Sequence, residues 1–301
     1  MALTGRGARG VAVASLISLL AAAGCASAGA GPTGSSPPAV AGSGAASGRT
    51  SPGDSVGPGR QSGSSYQPGS GGQQRPGGSG AAPLAGKIVG IDPGHNGLNY
   101  TDPAYLNRKI WNGRGWENCN TTGTQTASGY TEARFNFNVA MYLAADLRKD
   151  GAKVVLTRTN NHGVGPCVDW RSFVLNRAHA DVAIDIHADG GPSWGRGFTV
   201  LEPVADGPNN HVIAASLRFG SYVHAAFLAD TPLRPSDYYG HDGYILRDDL
   251  AGLNLTTVPK VLIECGNMPN PADAALLTSP AVQQQIARAL EAAIIRFLTG
   301  R

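Results

Sequence analysis

Charge and aromatic surface are both scarce in this chain of 301 residues: Asp, Glu, Lys and Arg make up 15% of it, and Phe, Trp and Tyr 7%. Such a chain lacks the basic face interleaved with aromatics that nucleic-acid binding needs, so no nucleic-acid partner is expected. The formal net charge of +3 does not alter this. Residues 1–85 carry five Arg and one Asp, whereas the remainder carries 19 basic and 20 acidic side chains and is close to neutral. No HExxH occurs, which excludes the common helix-borne zinc-protease signature, and no CxxC, which excludes zinc fingers and thioredoxin-like redox chemistry. The apolar run from Val11 to Ala23 is too short to cross a bilayer comfortably. No internal repeat is evident beyond low complexity in the first third.

What that first third does contain is a set of export signals. Arg6 and Arg9 precede the apolar run and small residues follow it, the pattern of a secretory signal over residues 1–25. AAAGC at Ala21 to Cys25 is similar to a lipobox, in which cleavage before Cys25 exposes a cysteine for lipid modification; Ala26 to Ala28 offers an ordinary cleavage site, with free secretion as the alternative. Residues 26–85 are almost entirely Gly, Ser, Pro, Ala and Gln, with too little apolar surface to offset chain entropy, and read as a disordered linker. A flexible tether of that length has a root-mean-square span of roughly 40–45 Å.

Residues 86–301 read as one folded domain. The pattern predicts a strand from Lys87, a long loop to Tyr130, helix 132–149, strand 153–157, helix 169–179, strands 182–187 and 198–202, helix 210–228, a loop, strand 260–264 and helix 280–298. This alternation specifies an α/β fold, a three-layer domain with a mainly parallel sheet flanked by helices. Cys119 and Cys167 both lie in polar loops and Cys265 in a buried strand end, so in an oxidising compartment the expected disulfide is Cys119 to Cys167; two unpaired loop thiols are the alternative.

Four residues carry the chemistry. KIVGIDPGHNG places His95 just past the first strand, and Glu132 opens a helix, beside the positive end of its dipole. In DVAIDIHADGG the residues Val182, Ile184 and Ile186 share one strand face, and Ala183, Asp185 and His187 the other. Glu264 ends KVLIECGN in the same manner. Taken singly, each has a plain structural reading as a hydrogen-bonded loop residue or a helix-end charge.

The order of IDPGH, Glu132, the LTR of Leu156 to Arg158, RSFVLNRAHADVAIDIHADGG, the GF of Gly197 and Phe198, and VLIECGNMPNPAD resembles the zinc-dependent N-acetylmuramoyl-L-alanine amidases of bacterial cell walls. DLAGLNL and GNMPNPAD make the actinobacterial branch the nearest likeness. The resemblance, which runs from about Lys87 to the C-terminus, implies Zn2+ on His95, Glu132 and His187, with Glu264 as the catalytic carboxylate. It implies hydrolysis of the amide between the lactyl group of N-acetylmuramic acid and L-alanine of the stem peptide. Two imidazoles and one carboxylate leave a coordination position open, as in catalytic rather than structural zinc sites. A zinc carboxypeptidase or other amidohydrolase on stem peptides, and a non-catalytic wall-binding lipoprotein, are the competing expectations.

The expected partner is peptidoglycan or a muropeptide, met by a monomer in the cell envelope, either lipid-anchored through Cys25 or secreted to the wall. Arg247 and Asn254, in RDDLAGLN, are polar enough to contact substrate or to make ordinary loop hydrogen bonds. Asp185 stands where the resembled family carries a small polar residue, and a supporting role is expected for it rather than a metal bond. Cys265 is expected to be an inert buried thiol.

Overall fold

Alternation along the strands sorts side chains onto two unequal faces, and that sorting positions the site. The computed structural model describes residues 82–300; the leader, Cys25 and nearly all of the linker lie outside the described residues. In chain order these residues form β1 (Ile88–Pro93), α1 (Pro103–Leu106), a hairpin of β2 (Lys109–Trp111) and β3 (Trp116–Asn118), α2 (Glu132–Lys149), β4 (Lys153–Leu156) and α3 (Val168–Arg177). There follow β5 (Val182–Asp189), β6 (Thr199–Pro203), α4 (Ile213–Asp230), β7 (Tyr244–Arg247), α5 (Ala251–Asn254), β8 (Lys260–Asn267), α6 (Pro271–Leu277) and α7 (Pro280–Thr299).

The main sheet has the order β4-β1-β5-β8-β6-β7. Strands β4, β1, β5 and β8 are mutually parallel, β6 runs antiparallel to β8, and β7 is parallel to β6. One face carries Val89, Ile91, Val182, Ile184, Ile186, Val261, Ile263 and Cys265 into a large core shared with α2, α4 and α7. Helix α2 belongs there because Phe135, Val139, Leu143 and Leu147 recur at four-residue spacing and are all fully buried, each contributing roughly 1.5–3 kcal/mol. Arg148 and Lys149 in its last turn complement the dipole, and Gly151, at φ 91°, turns the chain away just beyond it.

The opposite face is polar and thinner. It packs Ala183 against Leu175 of α3, and Leu201 and Leu262 against Leu253 of α5. A β-carbon on Gly90 would stand 2.7 Å from a Leu175 methyl, so glycine in β1 is what lets α3 approach. Asp92, Asp185, His187 and Glu264 occupy this second face by strand alternation.

Several expectations need correction. Strands β5 and β8 continue to Asp189 and Asn267, so His187 and Glu264 stand within the ends of their strands rather than terminating them. The long loop before Tyr130 contains α1 and the β2–β3 hairpin, and the loop before the last strand contains β7 and α5. Composition also sets the linker end slightly late: Leu84 is fully buried, and its amide donates to the Asp150 carbonyl at 2.9 Å.

The Cys119–Cys167 disulfide is formed and closes a separation of 48 residues. In the chain-entropy description that cross-link is worth about 4 kcal/mol, and it ties the hairpin segment to the start of α3. Cys265 is free and fully buried in the large core, where burial raises its thiol pKa well above the ordinary value.

Candidate active site

At one end of the parallel strands, His95, Glu132 and His187 meet with their ligand atoms all within 4.8 Å of one another, a group able to hold a metal ion. Glu132 stands at the centre: Oε2 lies 3.1 Å from His95 Nε2, and Oε1 lies 2.8 Å from His187 Nδ1. The two rings meet edge to face, with centroids 4.9 Å apart.

Each of the three is held by its own segment. His95 follows β1 in a left-handed backbone conformation, φ 57°, which is uncommon for a residue with a β-carbon. Its Nδ1 lies 3.1 Å from the Thr121 carbonyl, an arrangement in which Nδ1–H donates and Nε2 keeps a free lone pair toward Glu132. Glu132 opens α2, with Oε2 accepting from the Thr124 amide at 3.0 Å and Oε1 from Asn136 Nδ2 at 3.2 Å. His187 sits against Gly94, where a β-carbon would fall 2.2–2.7 Å from the imidazole ring; glycine is required for the turn to lie that close.

The ionisation of Glu132 and His187 favours ligation, whereas His95 is drawn toward its charged form. Burial opposes charge on Glu132, but His95 and His187 outweigh it and hold the carboxyl well below its usual range. Burial likewise opposes charge on His95, yet the Glu132 carboxylate overrides it and raises that imidazole pKa. For His187 burial prevails and lowers the pKa, leaving a neutral ring at pH 7.

Glu264 completes the arrangement expected from the sequence. It is the register neighbour of His187 across the β5–β8 pair and lines a cavity of about 300 Å³ together with His95, Glu132 and His187. Its Oε2 is buried with no hydrogen-bond partner among the described residues. Burial, with Glu132 and Asp189 nearby, pushes its pKa well above the ordinary carboxyl value, only partly countered by Arg247. A second cavity of about 190 Å³ shares His95 and His187 and is also lined by Glu117 and Asn118 of the hairpin, Val168 at the start of α3, and the buried Asp92, Arg171 and Asp185. His95 and His187 line both cavities, and Glu132 only the first.

The remaining candidates divide. Arg247 lines the Glu264 cavity, but its Nε and Nη2 each donate to Asp249 at 2.6 Å and its Nη1 donates to the Tyr239 hydroxyl, so it faces the cleft already engaged. Asn254 is fully buried and donates to the Asp248 carbonyl at 2.8 Å; it braces the turn before α5 and does not line either cavity. Asp185, expected in a supporting role, pairs at 2.8 Å with Lys260, and both are buried.

Two arginines, present in the quoted motifs but given no role there, hold the His95 turn. Arg171 donates to Asp92 at 2.6 Å, to the Pro93 carbonyl at 2.7 Å and to the His95 carbonyl at 2.6 Å. Arg158 donates to the carbonyls of Pro93 at 2.8 Å, Gly94 at 3.1 Å and Ala133 at 2.8 Å. Burial lowers the Arg158 pKa to about 9, which still leaves the guanidinium charged at neutral pH. The one available signal for Arg171 was its place four residues before buried Leu175, on the inward face of α3.

The family described as N-acetylmuramoyl-L-alanine amidase matches residues 89–296, a span that begins in β1, ends in α7 and includes all four chemical residues. N-acetylmuramoyl-L-alanine amidase Rv3717 of Mycobacterium tuberculosis is 40% identical over 224 residues, covering 72% of this chain and 88% of that protein. The crystal structure of N-acetylmuramyl-L-alanine amidase Ami1 from Mycobacterium smegmatis aligns with a TM-score of 0.68 at 40% identity, over 72% of this chain and 99% of that one. The apo form of Ami1 from Mycobacterium abscessus aligns at 0.67 and 39% identity, over 71% and 100%. With the sheet, the connecting loops and the four chemical residues all inside a match of this length and identity, the chain belongs to the N-acetylmuramoyl-L-alanine amidase family, in its actinobacterial branch.

Proposed function

We propose that this chain hydrolyses the amide between the lactyl group of N-acetylmuramic acid and L-alanine of the peptidoglycan stem, with His95, Glu132 and His187 holding Zn2+ and Glu264 serving as general base and acid. The observation that carries this reading is a buried carboxylate oxygen on Glu264, without a hydrogen-bond partner among the described residues, in the same cavity as two imidazoles and a second carboxylate. The donor set fits the ion: two nitrogens and one oxygen leave a position open, and both histidines can present a neutral ring nitrogen. When bound, Zn2+ supplies Lewis acidity toward the scissile carbonyl and acidifies an attacking water.

The chain's own residues do the rest. The Thr121 carbonyl and the Gly94 turn fix the two imidazoles, so little reorganisation is needed when substrate arrives. Glu264, whose buried Oε2 has no hydrogen-bond partner among the described residues, takes a proton from water and returns it to the leaving L-alanine nitrogen; its raised pKa strengthens it as the proton acceptor. Because the proton goes to the amine, the peptide arm lies over the cavity that Glu264 lines. The acyl arm, which carries the sugar, then points into the cavity at the hairpin.

Digestion of purified muropeptides followed by mass spectrometry tests the bond assignment. A stem peptide with a free L-alanine amino terminus is the expected product, and release of a C-terminal amino acid instead would identify a carboxypeptidase. The proposed location is the cell envelope, with Cys25 as a lipid anchor. Cys25→Ser should then move the protein from the membrane fraction to the medium or wall, and unchanged membrane association would refute the anchor.

A further inference from the structure

Outside the cleft, the described surface carries several large exposed aromatics. Two of these, Trp170 (54% exposed) and Phe173 (46%), lie one turn apart on α3 with ring centroids 4.8 Å apart. Neither is needed by the core, since α3 meets the sheet through Leu175 and the buried Arg171 and Ser172. Trp170 forms one wall of an open groove of about 510 Å³ whose other walls include Tyr105, Arg108, Lys109, Ile110 and Asp169. The Arg108 guanidinium sits 3.9 Å above the Tyr105 ring.

This groove adjoins the acyl-side cavity. Val168 lines that cavity and the next two residues of α3 line the groove; Glu117 lines the cavity, and Ile110, its cross-strand partner in the hairpin, lines the groove. The disulfide fastens the shared wall, with Cys167 itself on the groove side. A substrate arm leaving the cavity past the hairpin therefore runs directly into it.

We propose that this groove is a glycan subsite, binding the β-linked N-acetylhexosamine strand on the acyl side of the scissile amide through the face of Trp170. The inference rests on the amidase reading for the direction of the sugar arm. The chemistry matches the arm: a pyranose has an apolar C–H face suited to an aromatic ring, and an edge of hydroxyl and acetamido groups suited to Lys109, Arg108 and Asp169. A rigid ring offers such contact at little entropic cost. The two cations against one carboxylate also favour a polymer that bears peptide carboxylates over a cationic one.

The probe is a soluble hexamer of β-1,4-linked N-acetylglucosamine, free of peptide, titrated into the full chain by calorimetry. Trp170→Ala, at an exposed position, should fold and melt like the parent and bind the hexamer roughly ten-fold or more weakly. Leu228→Ala, an equally exposed truncation on α4, in the opposite layer, should bind as the parent does. Absence of hexamer binding by the parent chain, equal binding by Trp170→Ala, or binding of free stem peptide in place of the hexamer would each overturn the subsite. The titration contains no amide of the proposed kind, so the two readings fail separately. Muropeptide cleavage without hexamer binding refutes the groove alone, and Trp170-dependent hexamer binding by a chain that cleaves no muropeptide refutes the amidase reading and leaves the groove.

Discussion

Glu264→Gln is expected to retain the metal of the parent protein while turnover on peptidoglycan falls by about a hundred-fold to ten-thousand-fold, the usual worth of a positioned proton carrier. Glutamine keeps the size of the side chain and can occupy the same pocket on β8, beside His187 and against Thr199 of β6. It cannot accept and return a proton. It also removes a carboxyl that burial and two neighbouring acids make costly to ionise, so the variant should melt no lower than the parent. Metal content by elemental analysis, the melting temperature and the rate of muropeptide cleavage together decide the role. Near-parental turnover would remove Glu264 from the mechanism, and loss of metal together with turnover would make it a ligand and leave the proton carrier unidentified.

The four chemical residues were legible because each interrupts a recognisable pattern. His95 and Glu264 break apolar strand runs, Glu132 opens a helix whose core-facing positions are unmistakable, and His187 shares a strand face with small and acidic residues. The parallel part of the sheet was legible for the same reason, since Val89 and Ile91, Val182 to Ile186, and Val261 to Ile263 are the most apolar stretches in the domain. Strand β7 was not, because YILR is short, half-exposed and bounded by Gly and Asp, with its identity supplied only by pairing with β6. The hairpin escaped because KIW and WEN are three residues each and place no side chain in the core, too short a stretch to show a strand pattern.

Partnership is the harder thing to read. Asp185 reads as a supporting residue near the site, but what it supports is visible only once Lys260, the register partner of Ala183 on β8, stands diagonally across from it and pairs with its carboxylate. Asn254, polar and near the cleft in sequence, turned inward because the α5 turn has carbonyls to satisfy; a buried asparagine and a substrate-contacting one are written identically. Arg158 and Arg171 are the fullest case, since their function consists of carbonyls brought together from separate segments.

Arg171 gives the second large expected effect. Its side chain is fully buried, and Arg171→Met would leave Asp92 buried without the cation that, with Lys260 and the Thr157 hydroxyl, offsets burial and lowers its pKa to about 2. Removing one partner of a buried pair costs roughly 3–5 kcal/mol, which for a domain of this size is a fall of roughly 6–20 °C in melting temperature. The same change frees the His95 carbonyl from a 2.6 Å donor, at a residue whose left-handed backbone must be held by its surroundings. Metal affinity should therefore fall even at temperatures where the variant is fully folded. Arg171→Lys separates the two effects: an ammonium can still face Asp92 and recover part of the lost stability, but a single point of donors cannot reach Asp92, Pro93, His95 and Pro166 together. Recovery of melting temperature without recovery of metal affinity is the expected pattern. An Arg171→Lys variant that regains both would show that Arg171 supplies charge alone, and a methionine variant that melts and binds metal like the parent would remove the clamp from this account.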